Sequence, residues 1–294
     1  MKFAINYSPA AAELIRAGKI ETDYFKCPAW RDRISEFQQL RPIYLHLPLT
    51  IGRGIGDAIN SETKQIADWR AIGLLVEQTK TPFVNLHFAP SRKDFPSIPA
   101  DSTDAQHIEL LIESAIKDVE SVVRRFGKDV VMVENDNGSE GQLHACVLPD
   151  LIRRVIEDCG CGFLFDLSHA RLAAIKLGTD VQEYIRALPV ERTREIHVTG
   201  LQYFEGEWVE RIERTGLGAD FIKQYQGRLM DHLPMTDADW EFFVWAMLQV
   251  RSGAWGNPWI VSSEYGGVGP LWEAITKKDV LEEQVPKLYA LVAR

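Results

Sequence analysis

Nothing in the 294 residues approaches the run of about 18 apolar residues that a membrane-spanning helix needs. The opening stretch, MKFAINYSPAAAELIRAG, has no basic leader followed by a continuous hydrophobic segment, so the chain is expected to be soluble and cytoplasmic. Cysteine is scarce. Cys27, Cys146, Cys159 and Cys161 are too few and too unevenly placed to staple a chain of this size, and Cys159-Gly160-Cys161 has one spacer where redox and zinc motifs have two. The four are read as reduced structural thiols. Positive charge is short as well: 33 Lys+Arg against 42 Asp+Glu give −9, with no basic stripe, which disfavours nucleic acid and anionic lipid as partners. No Gly-x-Gly-x-x-Gly opens a helix after a strand, since Gly52-Arg53-Gly54-Ile55-Gly56 has the wrong spacing, and no Gly-x-Ser-x-Gly elbow is present. Dinucleotide binding on an open doubly wound sheet and serine hydrolysis are both disfavoured.

What is there is ample material for a core, 46% apolar residues with 26% charged. Short β-branched or aromatic runs alternate with segments of helical period, the cadence of repeated βα units around a parallel sheet. The runs are Phe3–Ser8, Thr22–Cys27, Ile43–Pro48, Phe83–Ala89, Val130–Asn135, Gly162–Leu167, Arg194–Thr199 and Trp259–Glu264. Eight such units imply a single α/β domain over residues 1–294, a (β/α)8 TIM barrel. The cadence breaks after strand seven, where a long loop from about Leu201 to Thr236 carries Tyr203, Phe204, Trp208, Phe221 and Tyr225. Loops of this length are functional or disordered, and so many aromatics argue for function.

Barrels of this type place their reactive residues at the C-terminal ends of the strands. His46 closes strand three, His87 strand four, Glu134 strand five, Asp166 strand six with His169 just beyond it, His197 strand seven and Glu264 strand eight; Asp231 and His232 lie in the loop after strand seven. Of seven histidines only His107 and His144 fall clearly elsewhere. Carboxylates and imidazoles gathered at one rim need a compensating cation, because buried unpaired charge is costly. Imidazole and carboxylate without thiolate suit iron, manganese or zinc, and these are more donors than one ion uses, so two or three divalent ions are implied. Glu134 is the natural bridging carboxylate, Glu134, Asp166 and His169 are the candidate catalytic groups, and Asn135 and Ser263 flank the donors as hydrogen-bonding supports.

This order of stations resembles the xylose-isomerase-like TIM-barrel superfamily. Two branches use nearly the same set: the multinuclear non-haem iron-dependent oxidative enzymes, whose type member acts in methanobactin biosynthesis, and the family-2 apurinic endonucleases, which hold three zinc ions. The segment DHLPMTDADWEFFVWAML resembles the Asp-x-His…Pro-Val…Val-Trp region of the oxidative branch. The chain departs from pattern at three places: His232 directly follows Asp231, Leu47-Pro48 follow His46, and Tyr265 follows Glu264.

The resemblance to the oxidative branch implies iron most of all, dioxygen activation and modification of a cysteine in a peptide substrate, with a partner protein delivering the peptide. It places ions among His46, His87 and Glu134; among Glu134, Asp166, His197 and Glu264; and near His169 and Asp231, and makes the aromatic connection a lid or a peptide-docking surface. Three alternatives stand beside it: a zinc-dependent phosphodiesterase or endonuclease-like hydrolase, a sugar isomerase or epimerase, and metal or partner binding without turnover.

Overall fold

The structure is a computed structural model, and it describes residues 1–139 and 141–293. In chain order its strands are β1 (Lys2–Asn6), β2 (Tyr24–Pro28), β3 (Ile43–His46), β4 (Leu49–Ile51), β5 (Ile59–Asn60), β6 (Val84–Phe88), β7 (Val131–Glu134), β8 (Gly162–Asp166), β9 (Thr193–Val198), β10 (Gly200–Tyr203), β11 (Leu229–Leu233) and β12 (Ile260–Ser263). All eight runs expected from the sequence are strands. The chain divides into two compact units, Met1–Tyr44 with His197–Ser252 and Trp259–Arg294, and Leu45–Ile196 with Gly253–Pro258.

In the first unit the parallel order is β2, β1, β12, with Ala4 opposite Tyr24 and Ile5 opposite both Phe25 and Ser263. Tyr24, Tyr44 and Trp259 pack edge to face, with ring centroids 5.3–6.4 Å apart, against Ala4 and Ile260. Such contacts add to what the buried area of the rings already contributes.

The connection from 201 to 236 is not a loop but a folded insertion of this unit. β10 and β11 pair antiparallel, and between them lie the helices Glu207–Glu213 and Ala219–Tyr225. Phe204, Trp208, Val209, Ile212, Met230 and Leu233 are buried together with Ile275, and Phe221 and Tyr225 pack against them. The aromatics that suggested a lid or docking surface therefore form or pack against the insertion's own core, with Phe221 and Tyr225 partly buried and Tyr203 60% exposed. Gly200 at the base of the hairpin is obligatory, because a Cβ there would collide with the backbone of Pro234.

In the second unit the order is β8, β7, β6, β4, with β5 antiparallel at the edge. Every residue of β7 and β8 is buried, as expected of parallel strands covered on both faces. The run expected as strand three is split: β3 ends at His46, and the strand paired to β6 is β4, where Thr50 stands opposite His87. Pro48, with no amide hydrogen to donate, sits in the break.

The glycine-rich segment after β4 finds its ligand inside the protein. Gly52, Gly54 and Gly56 all have positive φ, at 96°, 70° and 77°, and the loop wraps the carboxylate of Asp118, from the helix Ala105–Phe126. The amides of Gly52, Arg53 and Gly54 donate to Oδ2 at 3.0, 2.8 and 3.0 Å, and that of Gly56 to Oδ1 at 2.7 Å. Four donors on one fully buried carboxylate pin the segment after β4 to the long helix. Asp118→Asn would turn two amide hydrogens toward backbone donors. It is expected to lower stability by about 2–4 kcal/mol, read as a fall in the urea midpoint at constant slope; an unchanged midpoint would remove the cradle from the account.

Candidate metal centre

The second unit carries the denser set of donors. His46 ends β3, His87 lies in β6 and Glu134 ends β7, and one donor atom from each falls within 4.8 Å of the other two. Glu134 is 2% exposed. Its Oε2 lies 3.0 Å from His87 Nδ1 and 3.6 Å from His46 Nε2. The Nε2 atoms of His46 and His87 are 3.0 Å apart, a distance that suits either an N–H of one ring donating to the lone pair of the other or two lone pairs on a shared cation. Two imidazoles and a carboxylate on a nearly dry acid fit a divalent transition ion, with no thiolate involved.

A second carboxylate stands beside this group. Asp166 is 1% exposed and offers an oxygen within 4.8 Å of one on Glu134. His169, expected just beyond strand six, lies in the first turn of the helix Leu167–Leu177, which starts directly after β8 with Asp166 as its N-cap. The His169 amide donates to Asp166 Oδ1 at 2.8 Å, so the cap both ends the strand and turns the chain. His169 Nδ1 lies 2.8 Å from the Asn135 carbonyl oxygen. A carbonyl only accepts, so Nδ1 carries the hydrogen and Nε2, 3.8 Å from Asp166 Oδ2, keeps the lone pair.

Two asparagines hold these donors in place. Asn135, fully buried, spans the ends of β7 and β8: its Nδ2 donates to the Asp166 carbonyl and its Oδ1 accepts from the Asp166 amide, both at 2.9 Å. Asn85 does the same for the break after β3, accepting from the Leu47 amide at 2.7 Å and donating to the Leu47 carbonyl at 3.1 Å. Sequence reasoning named Asn135 and missed Asn85. The signal was present in Val84–Phe88, a polar residue inside an apolar strand two positions before His87.

In the first unit His197 is fully buried, with Nδ1 3.2 Å from Glu264 Oε1. Asp231 and His232, expected in the loop after strand seven, lie in β11. His232 has φ 60°, a left-handed conformation that costs a non-glycine residue about 1–2 kcal/mol. It is held there by its amide donating to Thr199 Oγ1 at 2.7 Å and by Nδ1 at 3.0 Å from the Glu264 carbonyl oxygen. As in His169, Nε2 keeps the lone pair. A left-handed residue interrupts the alternation of side chains along a strand, which bears on how adjacent Asp231 and His232 can both be used. Among the described residues, Asp231, His232 and Glu264 enter no group of three donors of the kind His46, His87 and Glu134 form. Sequence reasoning also missed Lys26, 5% exposed in β2, whose ammonium contacts Glu264 Oε1.

None of the cysteines competes as donor or nucleophile. All four are free and buried, and burial raises each thiol, Cys159 and Cys161 to about 12, so the thiolate is suppressed. Also in the second unit, a cleft of about 920 Å³ runs along Thr50, the neighbour of His87 across the sheet, and Ala89, two residues after it. Among the described residues, Arg53, Lys64, Arg92 and Lys93 line it with one acid, Asp94, which is bound to Arg53 at 2.6 Å.

A family model described as RiPP precursor modification enzyme MbnB/TglH/ChrH matches residues 28–213. The chain belongs to this family. The matched span of the family includes His46, His87, Glu134, Asp166, His169 and His197, while Lys26, Asp231, His232 and Glu264 lie outside it. A UPF0276 protein of Chromobacterium violaceum is 24% identical over 173 residues, 58% of this chain and 59% of that one. Another, of Paraburkholderia phytofirmans, is 37% identical over 51 residues, 17% of each chain. The chain thus matches less than two thirds of the length of these relatives. The solved structure of endonuclease IV from Thermus thermophilus aligns over 100% of this chain and 99% of its own, with 14% identity and a TM-score of 0.50. That likeness shows the fold, the α/β TIM-barrel class that the eight strands implied.

Asn85→Leu would leave the Leu47 amide and carbonyl buried without their partner. It is expected to cost about 2–4 kcal/mol and to weaken metal binding by about 10–100-fold through misplaced His46, measured by competition with a chromogenic chelator. Equal metal affinity in a folded variant would separate Asn85 from the centre.

Proposed function

We propose that this protein is an iron-dependent oxidase acting on a cysteine of a peptide substrate. The observation that carries the proposal is the convergence of His46, His87 and the buried Glu134 in a chain belonging to a family of RiPP precursor modification enzymes. In this reading His46, His87 and Glu134 hold one ion and Asp166 and His169 extend the donor set in the same unit, while His197, Asp231 and His232 are the candidate donors of the first unit. Iron bound there would supply an open coordination position for a thiolate and electrons for reaction with dioxygen.

The residues of the chain do the rest. Buried Glu134 and Asp166 hold the negative charge that collects cations, and their burial keeps water from diluting that attraction. Asn85 and Asn135 fix the strand ends so that the donors need not reorganise when an ion arrives. His169, with its hydrogen committed to the Asn135 carbonyl, presents Nε2 as a proton acceptor beside Asp166. The basic cleft beginning beside His87 takes the peptide, its excess of Arg and Lys favouring an acidic segment next to the reacting cysteine, in contrast to a chain whose net charge is −9. A cytoplasmic location and a partner that presents the peptide belong to the same proposal.

Elemental analysis of protein purified anaerobically without added metal tests the proposal, with Glu134→Ala beside it. Two or three iron atoms per chain are the expectation carried over from the resemblance, with loss in the variant; zinc instead would shift the reading to hydrolysis, and no metal in either sample would end it. Charge reversal at Arg92 and Lys93 is expected to raise KM for an acidic peptide about tenfold with kcat held. A fall in kcat at constant KM would argue against docking in the cleft.

A further inference from the structure

We propose that the ammonium of Lys26 is a resident cation for Glu264, standing where a metal ion would otherwise be needed, so that the chain carries no ion on Glu264. The inference rests on the metal-enzyme reading only for the ions held elsewhere. It starts from burial. Lys26 and Glu264 are each 5% exposed and His197 is fully buried, so neither charge can be left to solvent. Lysine is almost never buried unless paired, and Glu264 is paired with this one.

Strand register explains how the pair meets. Lys26 in β2 stands opposite Asn6 in β1, and β1 in turn pairs with β12, which leads into Glu264. Asn6 fixes that exit: its Nδ2 donates to the carbonyls of Glu264 and Gly266 at 2.9 and 3.0 Å. The Glu264 amide donates to the Val198 carbonyl at 3.0 Å, and the Tyr7 amide to the Lys26 carbonyl at 2.9 Å. The backbone around both residues is thereby committed, and the side chains are brought together by the sheet rather than by a mobile loop.

The charges then decide the occupancy. The oxygen that Lys26 contacts is Oε1, the same atom that lies 3.2 Å from His197 Nδ1. An ammonium and a dication cannot both sit on one carboxylate oxygen without strong repulsion, and the tethered cation needs no capture from solution. Tyr265, following Glu264, is likewise committed to structure: its hydroxyl donates to the Ile275 carbonyl at 2.9 Å and accepts from the Lys277 amide at 2.8 Å. In this arrangement Lys26 is a positioning residue, holding Glu264 against His197, and it sets how many ions the chain takes.

The test is a metal count on chelator-stripped protein re-equilibrated with ferrous iron alone under anaerobic conditions and, separately, with zinc alone. Wild type, Lys26→Arg and Glu264→Gln are expected to hold the same number of ions, Lys26→Met to gain one, and the double variant Lys26→Met/Glu264→Gln to return to the wild-type number. Loss of an ion in Glu264→Gln, or no gain in a folded Lys26→Met, would overturn the inference. If circular dichroism shows Lys26→Met unfolded, Glu264→Gln decides by itself, an unchanged count supporting the inference and a lost ion overturning it. A wild-type chain without metal would sink the catalytic reading and not this one, which would then stand or fall on whether Lys26→Met takes up an ion that wild type does not.

Discussion

A carboxylate taken out of water must be met by hydrogen-bond donors or by positive charge, and much of this molecule's local architecture is an answer to that requirement. Asp118 is met by four amides of a glycine-rich loop. Asp166 is met in part by the first turn of the helix it caps. Glu134 is met by the rings of His46 and His87, and Glu264 by Lys26 and His197. Purely neutral compensation makes Asp118 a fastener. Imidazoles, which bind protons or metal ions, give Glu134 partners of the kind that could hold a metal ion with it.

The scaffold holds these donors in place because the backbone near them is itself bonded. Asn85 and Asn135 each satisfy an amide and a carbonyl at a place where strand pairing stops, at Leu47 and at Asp166. A side-chain amide, with one donor and one acceptor, mimics the missing neighbour strand, so a donor residue can leave the sheet without orphaning its backbone. The left-handed His232 is a different device: strain accepted at one residue and held by Thr199 and the Glu264 carbonyl.

The family's matched span stops short of β11 and β12. His232 follows Asp231 directly, Tyr265 follows Glu264 and supports the helix Pro270–Ile275, and Lys26 lies just before the span begins. His46, His87, Glu134, Asp166 and His169, the donors of the second unit, all lie inside it.

Eight strands could be read from local patterning, because parallel strands covered on both faces appear as short apolar runs whatever their partners. The same locality exposed His46, His87, Glu134 and Asp166: a polar residue closing an apolar strand is visible one strand at a time. Where a feature depends on residues far apart in the chain, the sequence was silent. The break after His46 needs Asn85 across the sheet, the glycine loop needs Asp118 from a helix more than 60 residues later, and the aromatics of the insertion look like a surface until Ile275 and Leu233 are seen to close over them. Lys26 makes the point most sharply. Its charge is plain in the sequence, but its burial and its partner, Glu264, exist only once β2, β1 and β12 are laid side by side. Residue type sets which chemistry is available, while the long-range packing that removes water decides which charges must find one another.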